Sequence, residues 1–392
     1  MSAQSADGMI PTTLASGFSA HRLAAAALAG VGGIGSRRLR FLLAHADPVE
    51  VWASLCSGSV EPCLAALFGS VDLDRAVRHA QHTSLAELAD RWGQVGVEIA
   101  VIGEDAYPGA LATDLDPPPV IFTKGRINVL DARRVAVIGT RNATSSGLAT
   151  ARDLGRALAQ AEVAVVSGLA RGIDGAVHRG VHDVRGRAIG VVGNGLDQAY
   201  PRRNVDIWEW VGSEGYLVSE WPPGTPPDGW RFPRRNRIIA ALSEIVVVVE
   251  SRERGGSLIT VDEALKRDVQ VMAVPGSPRS RAAAGTNQLL VDGAAPVTGI
   301  DDILVALGLD HECPDRGPID VDLDPASDEA QVVEWCARAP ATLDDLVTLS
   351  GLPIAAVAMA VARLERDSII VVTNGWCELA RPRWTIPIPP GR

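Results

Sequence analysis

Two hydrophobic periods alternate through the middle of this chain. Between Arg133 and Leu307 short apolar runs rich in β-branched residues recur: Val135–Gly139, Val163–Ser167, Ala188–Gly193, Tyr216–Ser219, Glu244–Glu250 and Val269–Val274. Their apolar positions are consecutive, as strands covered on both faces require. Between them lie amphipathic stretches with helical spacing: Leu148–Gln160, Ile173–Val184, Val205–Val211, Arg237–Leu242, Leu258–Arg267 and Gln288–Val291. Strand and helix alternating through short loops predicts an α/β fold, a doubly wound parallel sheet within residues 96–309. Either Val97–Ile102 or Val120–Thr123 is expected to join the edge of that sheet.

The pattern changes on both flanks. Residues 1–95 show helical spacing without strand runs and predict a small helical domain of the helix-hairpin-helix kind. Within it, Gly30-Val-Gly-Gly-Ile-Gly35 separates two helical patterns and precedes Arg37, Arg38 and Arg40. Such a glycine hairpin either brings backbone N–H groups to a phosphate or is a plain tight turn. Residues 310–327 are polar and broken by proline, as linkers are. Glu329–Ala337, Leu343–Ser350 and Ile354–Arg366 then read as helices, and Ile369–Thr373 with Trp376–Leu379 as a hairpin turning at Asn374-Gly375. Three helices and a hairpin over residues 328–381 describe a winged helix, with 382–392 as a tail. From Ala326 to Ala380 there are three arginines against eight acidic residues, and Ile354–Arg366 is nearly all Ala, Val and Met until its end. A duplex-reading helix would need phosphate-neutralising side chains there, so the expectation is a protein contact or a structural role.

The 392 residues are 47% hydrophobic and 21% charged, a globular balance with length for two or three domains. No uninterrupted apolar window of about 18 residues occurs, so no membrane span is expected, and Leu23–Ala29 lacks the flanks of a signal peptide. The five cysteines (Cys56, Cys63, Cys313, Cys336, Cys377) include no CxxC pair, which fits reduced thiols in a cytoplasm. The formal charge of −10, taken alone, argues against a nucleic-acid partner. Its distribution reverses that argument. Residues 1–130 hold 9 basic and 13 acidic residues, residues 131–310 hold 21 of each, and residues 311–392 hold 7 and 13. In the neutral middle segment the arginines cluster: four of the seven residues Arg231–Arg237 are arginine, and Arg202-Arg203 follows Tyr200-Pro201. A local patch, more than net charge, decides binding.

Ligands of a doubly wound sheet sit over the C-terminal ends of its strands. There the first run leads into Gly139-Thr140-Arg141, which is not GxGxxG, and no GxxxxGK[ST] occurs in the chain. Small residues and one arginine before a helix suit a single phosphate. Ser167-Gly168-Leu-Ala-Arg171-Gly172-Ile-Asp174 repeats the arrangement; tight strand–helix packing explains its glycines but not Arg171. Gly255-Gly256-Ser257 opens a third helix on the same rim. Arg231-Phe232-Pro-Arg234-Arg235-Asn236-Arg237, preceded by Trp230 and placed just before a helix, interleaves cations with aromatics, as needed to stack bases while neutralising phosphates. A salt-bridged surface loop is the blander alternative. Catalytic machinery and metal are not expected. His178 and His182 share a helix face without an HExxH glutamate or third ligand, no GxSxG elbow exists, and nothing pairs Glu220, Glu250 or Glu263 as acid and base.

In order, Gly139-Thr-Arg141, Ser167–Asp174, Gly195-Leu-Asp197 with Tyr200-Pro201 and Asn204, Ser219-Glu220, Phe232–Ile239, Gly256-Ser-Leu-Ile-Thr260 and Val274-Pro-Gly276 resemble the bacterial DNA-processing protein A family (DprA, also called Smf), over roughly residues 105–307. The resemblance implies an extended Rossmann-like domain that binds single-stranded DNA without catalytic turnover or cofactor. It further implies a homodimer formed through that domain, and protection and delivery of DNA to the recombinase RecA in natural transformation or recombination. By motif, Arg141 would grip a backbone phosphate, Phe232 would stack on a base, Arg235 and Arg237 would line the groove, and Gly256-Ser257 would supply N–H donors. Ser146 stands where the family often has an aromatic residue, and Gly255 where serine is common. A rival resemblance joins Gly255-Gly256 and Glu263 to the PGGxGTxxE motif of lysine-decarboxylase-like phosphoribohydrolases, implying a nucleotide-binding enzyme or sensor; the preceding proline and the spacing differ.

Overall fold

The computed structural model describes residues 18–69, 72–309, 323–324, 326–367, 369–373 and 375–379. Most of the expected linker, the 382–392 tail, Cys313 and the turn residue Asn374 lie outside the described residues. The described chain divides into two compact units between Val297 and Thr298.

The first unit begins with helices α1 (Ala20–Ala29), α2 (Ser36–His45), α3 (Pro48–Ser57), α4 (Pro62–Phe68), α5 (Leu73–Gln81) and α6 (Leu85–Gln94). Ser19, Asp47, Asp72 and Ser84 each cap a helix by accepting a backbone N–H of its first turn. The glycine hairpin joining α1 to α2 exposes Gly30, Gly33 and Gly35 and packs at Gly32. The Arg75 guanidinium lies where a Gly32 side chain would be. Arg38 donates to the Phe68 carbonyl and Arg40 to the Pro117 carbonyl, so two of the three following arginines are engaged inside the molecule.

The sheet follows: β1 (Glu98–Val101), α7 (Gly109–Ala112), β2 (Val120–Gly125), β3 (Arg134–Ile138), α8 (Ser145–Gln160), β4 (Ala164–Ser167), α9 (Ile173–Asp183), β5 (Ala188–Val192), α10 (Val205–Glu214), β6 (Tyr216–Ser219), α11 (Arg231–Ala241), β7 (Ile245–Val248), α12 (Leu258–Leu265), β8 (Gln270–Ala273), α13 (Ala284–Val291) and β9 (Ala295–Pro296). The described strands order as β1-β2-β6-β5-β4-β3-β7-β8-β9. From β6 to β9 neighbouring strands are parallel, while β2 pairs antiparallel with both β6 and β1, so both edge candidates join the sheet. Every residue of β4, β5, β6 and β7 is buried, as their consecutive apolar positions demand. Trp92 of α6 meets Phe122 of β2 edge-on at 5.5 Å, and Arg22–Glu104 (2.9 Å) and Arg40–Asp116 (3.1 Å) fasten the helices to the sheet edge. The strand order reverses between β3 and β7, which sets the topological switch point there.

One element corrects the sequence reading in a way that matters for the site. The helix expected over Arg237–Leu242 starts at Arg231, so the arginine-aromatic segment forms the first turns of α11 and is not a loop before it. Pro233 tolerates this because the first turn of a helix has no intrahelical use for its N–H groups.

The second unit contains α14 (Ile300–Ala306), α15 (Asp328–Arg338), β10 (Ala341–Thr342), α16 (Leu343–Ser350), α17 (Ile354–Arg366), β11 (Ile370–Thr373) and β12 (Trp376–Leu379). β12 lies between β10 and β11 in an antiparallel sheet. Val332, Cys336, Leu346, Val357, Leu364, Ile370 and Cys377 form its core. All three arginines described in this unit are ion-paired: Arg338 with Glu334 (2.5 Å), Arg363 with Glu329 (2.7 Å) and Arg366 with Asp367 (3.2 Å).

Candidate nucleic-acid interface

The loops leaving β3, β4 and β5 converge on a cleft lined by Arg141, Gly168, Arg171, Gly193, Tyr200, Phe232 and Arg235. Three of the four candidate segments thus meet beside the switch point, joined by the β5 loop, and Gly255–Ser257 is not among the lining residues. At the centre is a column of side chains. The Arg141 guanidinium lies 5.0 Å from the Phe232 ring centroid, and Tyr200 stacks on Phe232 at 5.5 Å with planes 18° apart. Tyr200 is 42% exposed, whereas Phe232 is half-buried beneath it. Arg141 and Arg171 are exposed, and Arg171 has no hydrogen-bond or ion-pair partner among the described residues.

The β4 loop is held by a buried network. The Asn204 amide donates to the Leu169 and Ala170 carbonyls, both at 3.0 Å. Leu169 is fixed at φ 54°, a left-handed conformation that side-chain-bearing residues adopt at a cost of about 1–2 kcal/mol. Arg235 explains Gly168. Only 4% exposed, it donates to the Gly168 and Val191 carbonyls and fills the space a Gly168 side chain would need. Burial pulls the Arg235 pKa down to about 10, so the guanidinium keeps its charge at neutral pH. Asp174 lies 3.9 Å away; burial pushes its carboxyl above the usual carboxylate range, with Arg235 opposing. Gly172, at φ 79°, sits against the Thr140 carbonyl with no room for a side chain, and packs the β4 loop onto Thr140-Arg141.

Of the three helix N-termini expected to receive phosphate, one is occupied by the protein's own carboxylate and a second gives its first N–H to a backbone carbonyl. Glu250, leaving β7, accepts the Thr144 N–H at 2.9 Å and the Thr144 hydroxyl at 2.5 Å, covering the start of α8. At α9 the Ile173 N–H donates to the Thr140 carbonyl at 3.3 Å, and Asp174 of the first turn reaches back to accept the Gly168 N–H of the β4 loop at 3.2 Å. The third N-terminus is closed differently: the Ser257 hydroxyl turns inward to Ser251 at 2.9 Å, Gly255 packs on that serine, and only Gly256 is exposed. The cleft therefore presents side-chain cations and rings more than free helix ends.

The remaining candidates divide by role. Ser167 donates to the Val137 carbonyl at 2.7 Å, and the Thr140 N–H to the Glu250 carbonyl at 2.8 Å; beside them half-buried Gly139 leads out of β3. Asn236 accepts from Arg235 at 3.1 Å. Arg237 is turned away from the cleft, donating to Glu220 at 2.6 Å and to the Asp116 carbonyl at 2.7 Å, and so anchors the segment entering β2. Arg231 covers Trp230 at 4.9 Å and donates to the Pro226 carbonyl; exposed Arg234 lies 3.8 Å from Glu220. The two helix histidines part company: His178 is fully buried, its Nδ1 3.1 Å from the Asp174 carbonyl, while His182 meets Trp210 edge-on. The residues that the candidate set omitted are Tyr200, Asn204, Asp174 and Glu250. Tyr200 had a readable signal, an aromatic directly before Pro201-Arg202-Arg203.

A doubly wound sheet whose switch point carries arginines and stacked rings in place of a glycine-rich dinucleotide loop defines a Rossmann-like protein that lacks the dinucleotide fingerprint. The chain belongs to the DNA recombination-mediator protein A family, whose model matches residues 98–308. It is 35% identical over 376 residues to the putative DNA processing protein DprA of Mycobacterium tuberculosis, covering 87% of this chain and 95% of that one. The crystal structure of DprA from Streptococcus pneumoniae superposes with a TM-score of 0.62 at 30% identity, over 71% of this chain and 95% of that one. A structure of DNA processing protein A from Helicobacter pylori, described for its single-stranded DNA binding mode, matches with a TM-score of 0.50 at 27% identity, over 55% of this chain and 97% of that one.

Proposed function

We propose that this protein binds single-stranded DNA non-catalytically in the cleft beside the switch point and, as a homodimer, presents it to a RecA-type recombinase. The observation that carries the reading is the Arg141–Phe232–Tyr200 column flanked by unpartnered Arg171. Exposed Tyr200 offers a ring to a base, Phe232 backs it, and Arg141, Arg171 and the exposed Arg202 and Arg203 meet the phosphates. Support from relatives comes from the Helicobacter pylori protein, whose single-stranded DNA binding is described. Dimerisation is supported by Leu265 of α12 and Val291 of α13, which expose 60% and 79% of their surface.

The nucleotide-pocket alternative lacks such support. The cleft encloses only about 50 Å³, well below the roughly 300–1,000 Å³ of small-molecule sites, and the Glu250 carboxylate occupies the end of α8 where a nucleotide phosphate would dock. The second unit is read as a winged helix that contacts protein, since its described arginines are all paired within it.

The test is a titration with single- and double-stranded oligonucleotides at several salt concentrations. Preference for single strands, with affinity rising with oligonucleotide length, is the expected result. Equal binding of a free nucleoside monophosphate would overturn it.

A further inference from the structure

We infer that the loops leaving β7 and β8 form a second cation track, which holds the backbone of the same DNA strand beyond the cleft. The inference rests on the single-strand reading above and extends the site across the switch point. Ser251–Ser257 and Val274–Ala283 carry Arg252, Arg254, Arg279 and Arg281 against one acid, Glu253. All four arginines are exposed, and none has an ion-pair or side-chain hydrogen-bond partner among the described residues. Several arginines elsewhere on this unit are ion-paired. Arg133 pairs with Glu244 (2.6 Å), Arg152 with Asp183 (2.7 Å), Arg179 with Asp206 (2.5 Å) and Arg267 with Asp114 (2.7 Å). Four unpaired like charges on two adjoining loops repel one another, and an anion laid across them relieves that repulsion.

The loops are built as one scaffold. The Gly285 N–H in the first turn of α13, directly after the β8 loop, donates to the Ser251 carbonyl of the β7 loop at 2.7 Å. Asn287 clamps Gly276 from both sides, accepting its N–H at 3.1 Å and donating to its carbonyl at 2.9 Å. The scaffold is continuous with the cleft, because Glu250, directly before Ser251, binds both Thr140 and Thr144 around Arg141. β4, β3, β7 and β8 are successive neighbours in the sheet. At about 4.8 Å per strand, the rim from the Arg171 loop to the Arg281 loop spans about 14 Å, a length that suits a chain of nucleotides and not one. Neither loop contains an aromatic residue, so this part of the track grips phosphates without stacking bases and adds affinity without sequence preference.

The experiment compares oligothymidylates of about 6 and about 16 nucleotides, within the range of single-module binding sites. It uses the full chain and its Arg252→Ala/Arg254→Ala/Arg279→Ala/Arg281→Ala variant. The variant is expected to bind the long oligonucleotide at least ~10-fold more weakly at low salt, with a log–log salt slope shallower by about 2–3, given ~0.7 per phosphate contact on single strands. The short oligonucleotide should bind as before, and the fourfold lysine variant should recover most of the slope. Unchanged affinity for the long oligonucleotide, or equal losses for both lengths, overturns the track. If the unsubstituted chain binds neither oligonucleotide, the single-strand reading itself fails, and the two failures are distinct.

Discussion

At the scale of single residues, the stacked pair Tyr200–Phe232 carries the clearest energetic expectation. A base resting on the outer ring of such a column contributes about 1–3 kcal/mol. Tyr200→Ala should therefore weaken oligonucleotide binding on the order of 10- to 100-fold. Phe232→Ala should weaken it by a similar amount, because it removes the support of Tyr200 and the ring facing Arg141. The two losses should not add in the double variant, since each acts through the same column. Equilibrium titrations of the three variants check this, and strict additivity would separate the two rings functionally. His178 gives a second expectation, concerning stability. Burial lowers its pKa from 6.5 to about 4, so the folded chain refuses a proton that the unfolded chain accepts below pH 6.5. Stability should then fall with falling pH between those values by about 1.4 kcal/mol per unit, and level off below. Neighbouring Asp174, whose pKa is raised, works in the opposite direction, so the measurement is the difference in urea stability between the natural chain and His178→Gln across pH 4.5–7. A slope identical in both would remove His178 as the cause.

At the scale of elements, the switch point joins two halves of the sheet, and Glu250 joins the loops across it. Its carboxylate satisfies the Thr144 backbone and hydroxyl at the entry to α8, which fixes the loop bearing Arg141. Losing such a cap costs about 0.5–2 kcal/mol. Glu250→Ala should lower stability by that amount and also weaken DNA binding, because Arg141 is no longer held against Phe232. Glu250→Gln, which keeps an acceptor, should recover most of both, and thermal melts alongside titrations distinguish the outcomes. This element shows what sequence can and cannot carry. The strands were legible because burial on both faces leaves consecutive apolar runs, and the loops leaving β3 and β4 were legible from their small residues, whereas Gly255-Gly256-Ser257 after β7, read the same way, does not line the cleft. The start of α11 was not, because Pro233 and four arginines look like a loop until the helix's first turn is seen to tolerate both. Nor was the role of Arg235 and Arg237. Clustered arginines read as a solvent-facing patch, yet one is buried against two strand-end carbonyls and the other is clamped by Glu220. The carboxylate over α8 was invisible for a related reason: Glu250 lies more than a hundred residues from Thr144, and only the strand order brings them together.

At the scale of the whole molecule, the charge of −10 and the proposed DNA-binding rim are compatible because pairing is uneven. Acids of the central segment neutralise arginines away from the cleft, as with Asp183 beside Arg152 and Arg156, whereas Arg171, Arg252, Arg254, Arg279 and Arg281 remain without partners among the described residues. DNA approaching the rim then experiences two opposed fields, a local attraction and the net repulsion of the molecule. Salt separates them. Near 0.15 M the Debye length is about 8 Å, so the phosphates sense the rim alone and affinity should fall with added salt at about −0.7 per phosphate contact. At 0.01 M the screening length grows to about 30 Å and reaches acidic groups well beyond the rim. The log–log plot should therefore bend over at low salt instead of rising in a straight line, and the association rate should flatten or fall in the same range. Stopped-flow measurements from 0.01 to 0.3 M would show the bend; a straight line through the lowest concentrations would mean that the rim's field dominates at every distance and that the acidic flanks contribute nothing to the approach of DNA.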